Sequence, residues 1–167
     1  GGAMFPKAPA FAANTLGAPD RGHGVAVGRH RSRVSGAPEV YCELPMGCLA
    51  EEIDTPGAGQ VRALISVASN PVLAAPNGPR LAAALEGLEF MVGVDLYLNE
   101  TTRHAHVLLP GLSPLEDSHA DIAFPQLSFR HQARFTRAVF APPAGQSPEW
   151  RGLLRLLAVV SGRGATA

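Results

Sequence analysis

Two places along the chain carry side chains placed to bind a ligand. Ser69 and Asn70 follow one short apolar run, and Asp95 follows a second. If both runs are parallel strands, these residues stand outside carboxyl ends, where open α/β sheets take their ligands. A carboxylate there can accept two donors at once, and guanine offers such an edge in its N1–H and N2–H₂. Asn70, with nearby backbone N–H groups, can hold a ribose or a phosphate. Spacing alone goes no further than a nucleotide-type site, and capping a turn is the other use open to Asn70 and Asp95.

Other reactive residue types make weaker patterns. Asp117, Ser118 and His119 include the types of a hydrolytic triad, but a triad is assembled by the fold, not by neighbours in sequence. His104 and His106 would share one side of a strand, a possible ligand spacing, yet no cysteine or carboxylate pattern accompanies them. Glu116 and Asp117 read as a solvated pair in a loop. Gly28-Arg29-His30-Arg31-Ser32-Arg33 is locally basic; it is a solvated loop or, since arginine offers a bidentate fork, a phosphate contact. Gly22, Gly24 and Gly28 follow no strand and make no dinucleotide fingerprint. Cys42 and Cys48 are too few for a four-ligand zinc or iron–sulfur site and read as free thiols.

The elements that must position Asn70 and Asp95 lie beyond residue 58. Val61–Val67 is short, apolar and β-branched, as a strand buried on both faces would be. Asn70-Pro71 ends it, because proline cannot donate and pushes the residue before it out of helix. Asn77-Gly78-Pro79 opens a helix, with Leu81, Ala84, Leu85 and Leu88 on one stripe and Gly87 near its end. Phe90–Val94 is a second strand ending at Asp95. Asn99–Arg103 forms a short turn, and Ala105–Leu109 is a third strand stopped by Pro110. Ser147-Pro148 starts a last helix whose Trp150, Leu153, Leu154, Leu157 and Val160 share a face. The expected fold is α/β: a Rossmann-like parallel sheet with flanking helices and a loop-rich N-terminal third. Residues 1–57 are expected to be irregular, apart from a turn or two of helix at Leu49–Ile53, and 58–167 to form the cofactor-type α/β domain.

Composition sets the outer bounds. The 167 residues suit one domain, and 46% hydrophobic residues can supply its core. Fourteen basic residues balance 14 acidic ones, so no general attraction to nucleic acid or an anionic membrane exists. No apolar run reaches the roughly 18 residues of a membrane span, and no signal peptide opens the chain, which points to the cytoplasm. Gly 18 and Pro 15 together are about a fifth of the chain, so long irregular stretches are expected.

The order of these motifs resembles the molybdopterin oxidoreductases, with the formate dehydrogenase and nitrate reductase kind nearest. Asn70-Pro71, then Val94-Asp95-Leu96-Tyr97-Leu98-Asn99-Glu100-Thr101-Thr102, then Ala105-His106-Val107-Leu108-Leu109-Pro110 is similar to that family's NP turn, D-x-[FY]-x-[TN]-E-T strand end and A-D-V-[IVL]-L-P step. Ser113-Pro114-Leu115-Glu116 resembles its S-x-x-E step, and Gly1-Gly2-Ala3-Met4-Phe5 its glycine-rich segment. The tight matches cover residues 60–120.

The resemblance implies a bis-molybdopterin guanine dinucleotide cofactor carrying molybdenum or tungsten. It implies that Asp95 reads guanine, that Asn99 replaces a frequent threonine, and that Ser69, Asn70 and Pro71 lie near the cofactor. No catalytic or metal-binding residue carries over. In the family, the metal ligand and iron–sulfur cysteines lie upstream and a further cofactor domain lies downstream. The chain therefore reads as an internal piece, inactive alone, whose partners are the molybdenum cofactor and the remaining domains of a parent enzyme. Three departures stand out: Ala68 where a glycine often precedes the NP turn, His106 for an aspartate, and Cys42 for a small residue. The alternative is a stand-alone or remnant nucleotide-binding module without catalysis.

Overall fold

The computed structural model describes residues 27–40, 43–120 and 134–164. Gly1–Phe5, Gly22, Gly24 and Cys42 lie outside them. Gly28–Arg31 of the basic stretch is strand and Arg33 lies in the turn that follows: β1 (Val27–Arg31) pairs antiparallel with β2 (Pro38–Val40). Its arginines are spent on internal contacts. The Arg29 backbone N–H and Nε donate to the buried Glu39 carboxylate at 2.6 and 3.0 Å. Arg33 donates to Glu52 Oε2 at 3.3 Å and to the Thr55 carbonyl at 2.7 Å. The carboxylates that receive these donors lie 10 and 19 residues away, which is why the stretch reads as an open basic loop in isolation. The short helix expected at Leu49–Ile53 is present as α1 (Leu49–Asp54).

Strand β3 (Ala63–Val67), strand β4 (Phe90–Asp95) and strand β5 (Val107–Pro110) form a parallel sheet in the order β3-β4-β5. Between β3 and β4 run α2 (Pro71–Ala74) and α3 (Gly78–Glu86). The connection from β4 to β5 is short and contains a 3₁₀ turn at Thr102–His104. The α/β class expected from the alternating elements is what the chain adopts. Only β4, the central strand, is buried on both faces, through Met91, Val92 and Val94. β3 is an edge of this sheet, and its Ile65 is 45% exposed, so burial on both faces does not hold there.

The core lies on one face of the sheet. Ala50 and Ile53 from α1 and Leu81, Ala84 and Leu85 from α3 meet Leu88 and Met91, with Leu64 and Ala105 packed against them. The stripe at Leu81, Ala84, Leu85 and Leu88 is the one the helical spacing foretells. Asn77 starts α3 as expected, its side chain accepting from the Arg80 N–H at 3.4 Å. Gly78 is required by close approach: a Cβ there would stand 2.0 Å from the Val72 carbonyl oxygen.

Beyond the sheet, β6 (His119–Ala120) pairs antiparallel with β7 (Phe135–Thr136), and α4 spans Glu149–Val160. Pro148, not Ser147, is the residue that caps α4, without a side-chain hydrogen bond. The Trp150, Leu154, Leu157 and Val160 stripe is exposed, contrary to a core-facing role. The helix instead turns Gly152, Leu156 and Val159 toward Val94 and Leu109 across a cavity of about 310 Å³.

Two departures from the family pattern have physical accounts. His106 donates its backbone N–H to the Met91 carbonyl at 2.8 Å, while its Nδ1 accepts the Met91 N–H at 3.0 Å. An aspartate Oδ1 sits the same number of bonds from the backbone and offers the same acceptor, so the histidine substitutes for it. His104 belongs to the 3₁₀ turn and His106 precedes β5, so the two do not share a strand face. Ala68 has φ +46°, the left-handed region that glycine occupies without strain. Its N–H still donates to the Val94 carbonyl at 2.8 Å, tying the end of β3 to β4.

These backbone features yield opposite expectations for two substitutions. Ala68→Gly relieves a left-handed alanine and leaves the chain neutral to about 1 kcal/mol more stable, the gain being reduced by glycine's unfolded-state entropy. Gly78→Ala forces the start of α3 off the Val72 carbonyl and costs about 2 kcal/mol or more. Urea unfolding midpoints measure both. A destabilised Ala68→Gly or an unaffected Gly78→Ala contradicts the respective account.

Candidate functional site at the carboxyl ends of the sheet

The carboxyl ends of β3 and β4 are joined by a polar network. Thr101 Oγ1–H donates to Asn70 Oδ1 at 2.8 Å and the same oxygen accepts the Val72 N–H at 3.0 Å. Asn70 Nδ2 donates to Glu100 Oε2 at 2.6 Å. Asn99 Oδ1 accepts the backbone N–H groups of Thr101 and Thr102 at 3.0 and 2.9 Å. Thr102 Oγ1 accepts the Asn99 N–H at 2.8 Å and lies 3.0 Å from the Tyr97 carbonyl, to which it donates. Thr101 and Thr102 are 0% and 1% exposed, so their hydroxyls need these partners.

Asp95 ends β4 at the edge of this network. Its Oδ1 accepts the Tyr97 N–H at 3.1 Å and its Oδ2 accepts Asn99 Nδ2 at 3.1 Å. Turn capping is therefore a real use of Asp95. Each oxygen keeps a second acceptor position, so capping fixes the carboxylate without exhausting it. Ser69 Oγ pairs with Ser66 Oγ at 3.1 Å. Pro71 is buried at the first position of α2, and the Asn70 carbonyl accepts from Leu73 and Ala74.

These residues open onto a cavity of about 490 Å³, inside the roughly 300–1,000 Å³ of small-molecule sites. Ser69, Asn70, Asp95 and Asn99 all line it, so four of the five sequence-predicted positions converge there, and Pro71 does not. Tyr97, Leu96 and the Gly111–Leu112 backbone also line it and were not singled out as site residues. The signal for Tyr97 was its place two residues after the strand-ending aspartate. Asp117, Ser118, His119 and Glu149 complete the wall. Asp117 Oδ1 accepts the Ser118 N–H at 2.7 Å and Ser118 Oγ accepts the Ala138 N–H at 3.3 Å. Neither contact is the hydroxyl-to-imidazole bond of an activated nucleophile. Glu116 folds back onto the Ser113 N–H at 3.1 Å, a turn closure rather than half of an acid–base pair.

Among the described residues the lining holds three carboxylates, Asp95, Asp117 and Glu149, and no lysine or arginine. Such a wall favours hydrogen-bond donors and repels phosphate. Among the described residues no three His, Cys, Asp or Glu side chains are grouped to hold a metal ion.

Over 59 residues, 35% of the chain, the sequence is 41% identical to the assimilatory nitrate reductase catalytic subunit of Bacillus subtilis (strain 168). Over this stretch the chain is similar to a molybdopterin oxidoreductase. The match covers 8% of that subunit's length. The fold of acetylene hydratase from Pelobacter acetylenicus is similar over 72% of the chain and 16% of that protein, with TM-score 0.60 and 21% identity. The chain thus spans a small part of the molybdopterin oxidoreductase relatives it matches. No family model matches it, and no helix among the described residues is long and apolar enough to cross a membrane.

The network has an acid-sensitive member. Glu100 is held below its ordinary value of 4.5, first by the hydrogen bond from Asn70, then by its own backbone N–H and the Arg103 charge, against a small opposing effect of burial. A carboxyl depressed in the folded state stabilises it above the unfolded value, and that contribution is lost as pH falls through the folded value. Glu100→Gln should therefore flatten part of the fall in melting temperature below about pH 4.5. Thermal melts from pH 7 downward test this, and identical pH profiles for variant and wild type would refute it.

Proposed function

We propose that the chain is the segment of a cytoplasmic, formate dehydrogenase-like molybdopterin enzyme that binds the guanosine end of a bis-molybdopterin guanine dinucleotide cofactor. The observation that carries this reading is the Asp95 carboxylate, oriented by the Tyr97 and Asn99 donors at the end of the central strand and lining the cavity. Its remaining acceptor positions suit the N1–H and N2–H₂ of guanine, an edge adenine lacks. Asn99 supports this residue from behind, while Asn70, Ser69 and Pro71 shape the rim. The absence of lysine and arginine from the wall among the described residues fits a base and ribose inside, with the diphosphate directed outward. Bound there, the cofactor supplies two-electron chemistry at its metal; these residues hold and orient its distal end.

The chain gathers one end of such a cofactor and, among the described residues, no metal-ligand group. Expressed alone in a host that makes the cofactor, it should carry no stoichiometric molybdenum or tungsten and no formate oxidation with an artificial acceptor. Metal analysis with turnover assays decides this, a loaded and active chain being the contrary result. An iron–sulfur cluster, in this reading, belongs to other parts of the parent enzyme.

The base preference is tested by calorimetry of guanosine and adenosine on the chain. Hydrogen bonds to a charged group are worth roughly 1.5–3 kcal/mol, so Asp95→Ala should weaken guanosine about tenfold or more and leave adenosine little changed. Asp95→Asn should lose discrimination as well, because one acceptor becomes a donor facing a donor. Equal wild-type affinities for the two nucleosides, or an indifferent Asp95→Ala, would reduce Asp95 to its turn-capping role.

A further inference from the structure

We infer that Tyr97 is the stacking face of the cavity, covering the plane of the base whose edge Asp95 meets. The inference rests on the nucleoside reading of the cavity and adds a residue and a force to it. Tyr97 and Asp95 line the same space. The Tyr97 backbone is pinned at both ends: its N–H donates to Asp95 Oδ1 at 3.1 Å, and its carbonyl accepts from Thr102 Oγ1 at 3.0 Å. Thr102 is itself buried at 1% exposure, so the segment carrying the ring is anchored in the protein interior. Yet Tyr97 as a residue is 73% exposed. An aromatic group held by a fixed backbone at a cavity mouth, and left facing water, is arranged to be covered by a ligand with a flat apolar face.

The charge on the wall points the same way. Among the described residues Asp95, Asp117 and Glu149 line the cavity without a lysine or arginine, and none of these residues offers a nucleotide phosphate pairing. Edge recognition by Asp95 selects the base but leaves both of its faces to be covered. Burying the base's faces adds affinity common to all bases, and Tyr97 is the one Phe, Trp or Tyr side chain of the lining among the described residues. Leu96, at 45% exposure, extends the same apolar border.

Stacking and edge reading separate cleanly by experiment, since every base has a π-face but only guanine has the donor pair. Guanosine and adenosine are titrated into the full chain, wild type and variants, by calorimetry. The Tyr97 ring protons are followed by NMR. Tyr97→Ala should weaken both nucleosides together, roughly 5- to 100-fold by the ordinary worth of base–aromatic stacking, with their ratio unchanged. Tyr97→Phe should bind as wild type does. Tyr97→Leu, which keeps apolar bulk without the ring, should lose most of the affinity. The wild-type ring signals should move upfield as guanosine binds. Because the side chain is exposed, circular dichroism of the variants should match wild type.

Three results overturn the inference. If Tyr97→Ala binds guanosine as tightly as wild type while Asp95→Ala loses discrimination, the stacking role fails and the guanine reading stands. If Tyr97→Leu binds as well as Tyr97→Phe, the position supplies apolar cover and not stacking. If wild type binds neither nucleoside, both the reading and the inference fall.

Discussion

The geometry of the carboxyl end depends on the hydrogen bond from the Thr101 hydroxyl to Asn70 Oδ1. β3 and β4 are hydrogen-bonded neighbours, but the segments leaving them diverge, one into α2 and the other into the 3₁₀ turn. Thr101 ties them back together, accepting the Val72 N–H at the start of α2 while donating to Asn70. Its complete burial makes the arrangement obligatory, because a buried hydroxyl without partners costs about 1–3 kcal/mol. Thr102 does the corresponding work one residue on, closing the Tyr97–Asn99 loop against β4. Gly93 makes room for it: a Cβ there would lie 3.3 Å from Thr102 Cγ2. Tyr97 and Asn99 are therefore held by Thr102, and Asn70 by Thr101, two side chains that do not line the cavity.

The parts legible in the sequence were those fixed by local chemistry. Proline at Pro71 and Pro79, the Asn77 cap and the Leu81–Leu88 stripe gave the boundaries of α3 and the turn after β3, since each rests on contacts within a few residues. The strand end at Asp95 followed from the apolar run before it. What escaped depends on distant partners. Arg29 and Arg33 look like a basic loop until Glu39 and Glu52 are brought to them. The burial of Thr101 and Thr102 is set by residues some thirty positions away on α2 and by the centre of β4. The α4 stripe was a correct reading of helical period and a wrong reading of which side packs, because period says nothing about the partner.

The family match and the chain's departures from the family pattern have a common explanation. At position 106 the requirement is an acceptor for the Met91 N–H at a set reach, and imidazole Nδ1 meets it as a carboxylate would. At position 68 the requirement is a left-handed backbone, and alanine adopts it at the cost of strain. Both positions lie beside the sheet's carboxyl end or its central strand, where the backbone path cannot shift without moving Asp95. Sequence identity over 59 residues and similarity of fold over 72% of the chain are what such constraints on backbone path leave behind.

The carboxylate wall has a consequence for how ligands respond to ionic strength. Ordinary nucleotide and nucleic-acid sites gain from cation–phosphate attraction, so added salt weakens them. In this cavity Asp95, Asp117 and Glu149 stand in the wall, and among the described residues no lysine or arginine of the lining offsets them. Counter-ions screen repulsion as readily as attraction, over a Debye length of about 8 Å at physiological strength. On the proposed reading, a nucleoside diphosphate entering base-first would be held more tightly as salt is added, while an uncharged nucleoside would be nearly indifferent to it. The sign of that slope is inherited from three acidic side chains.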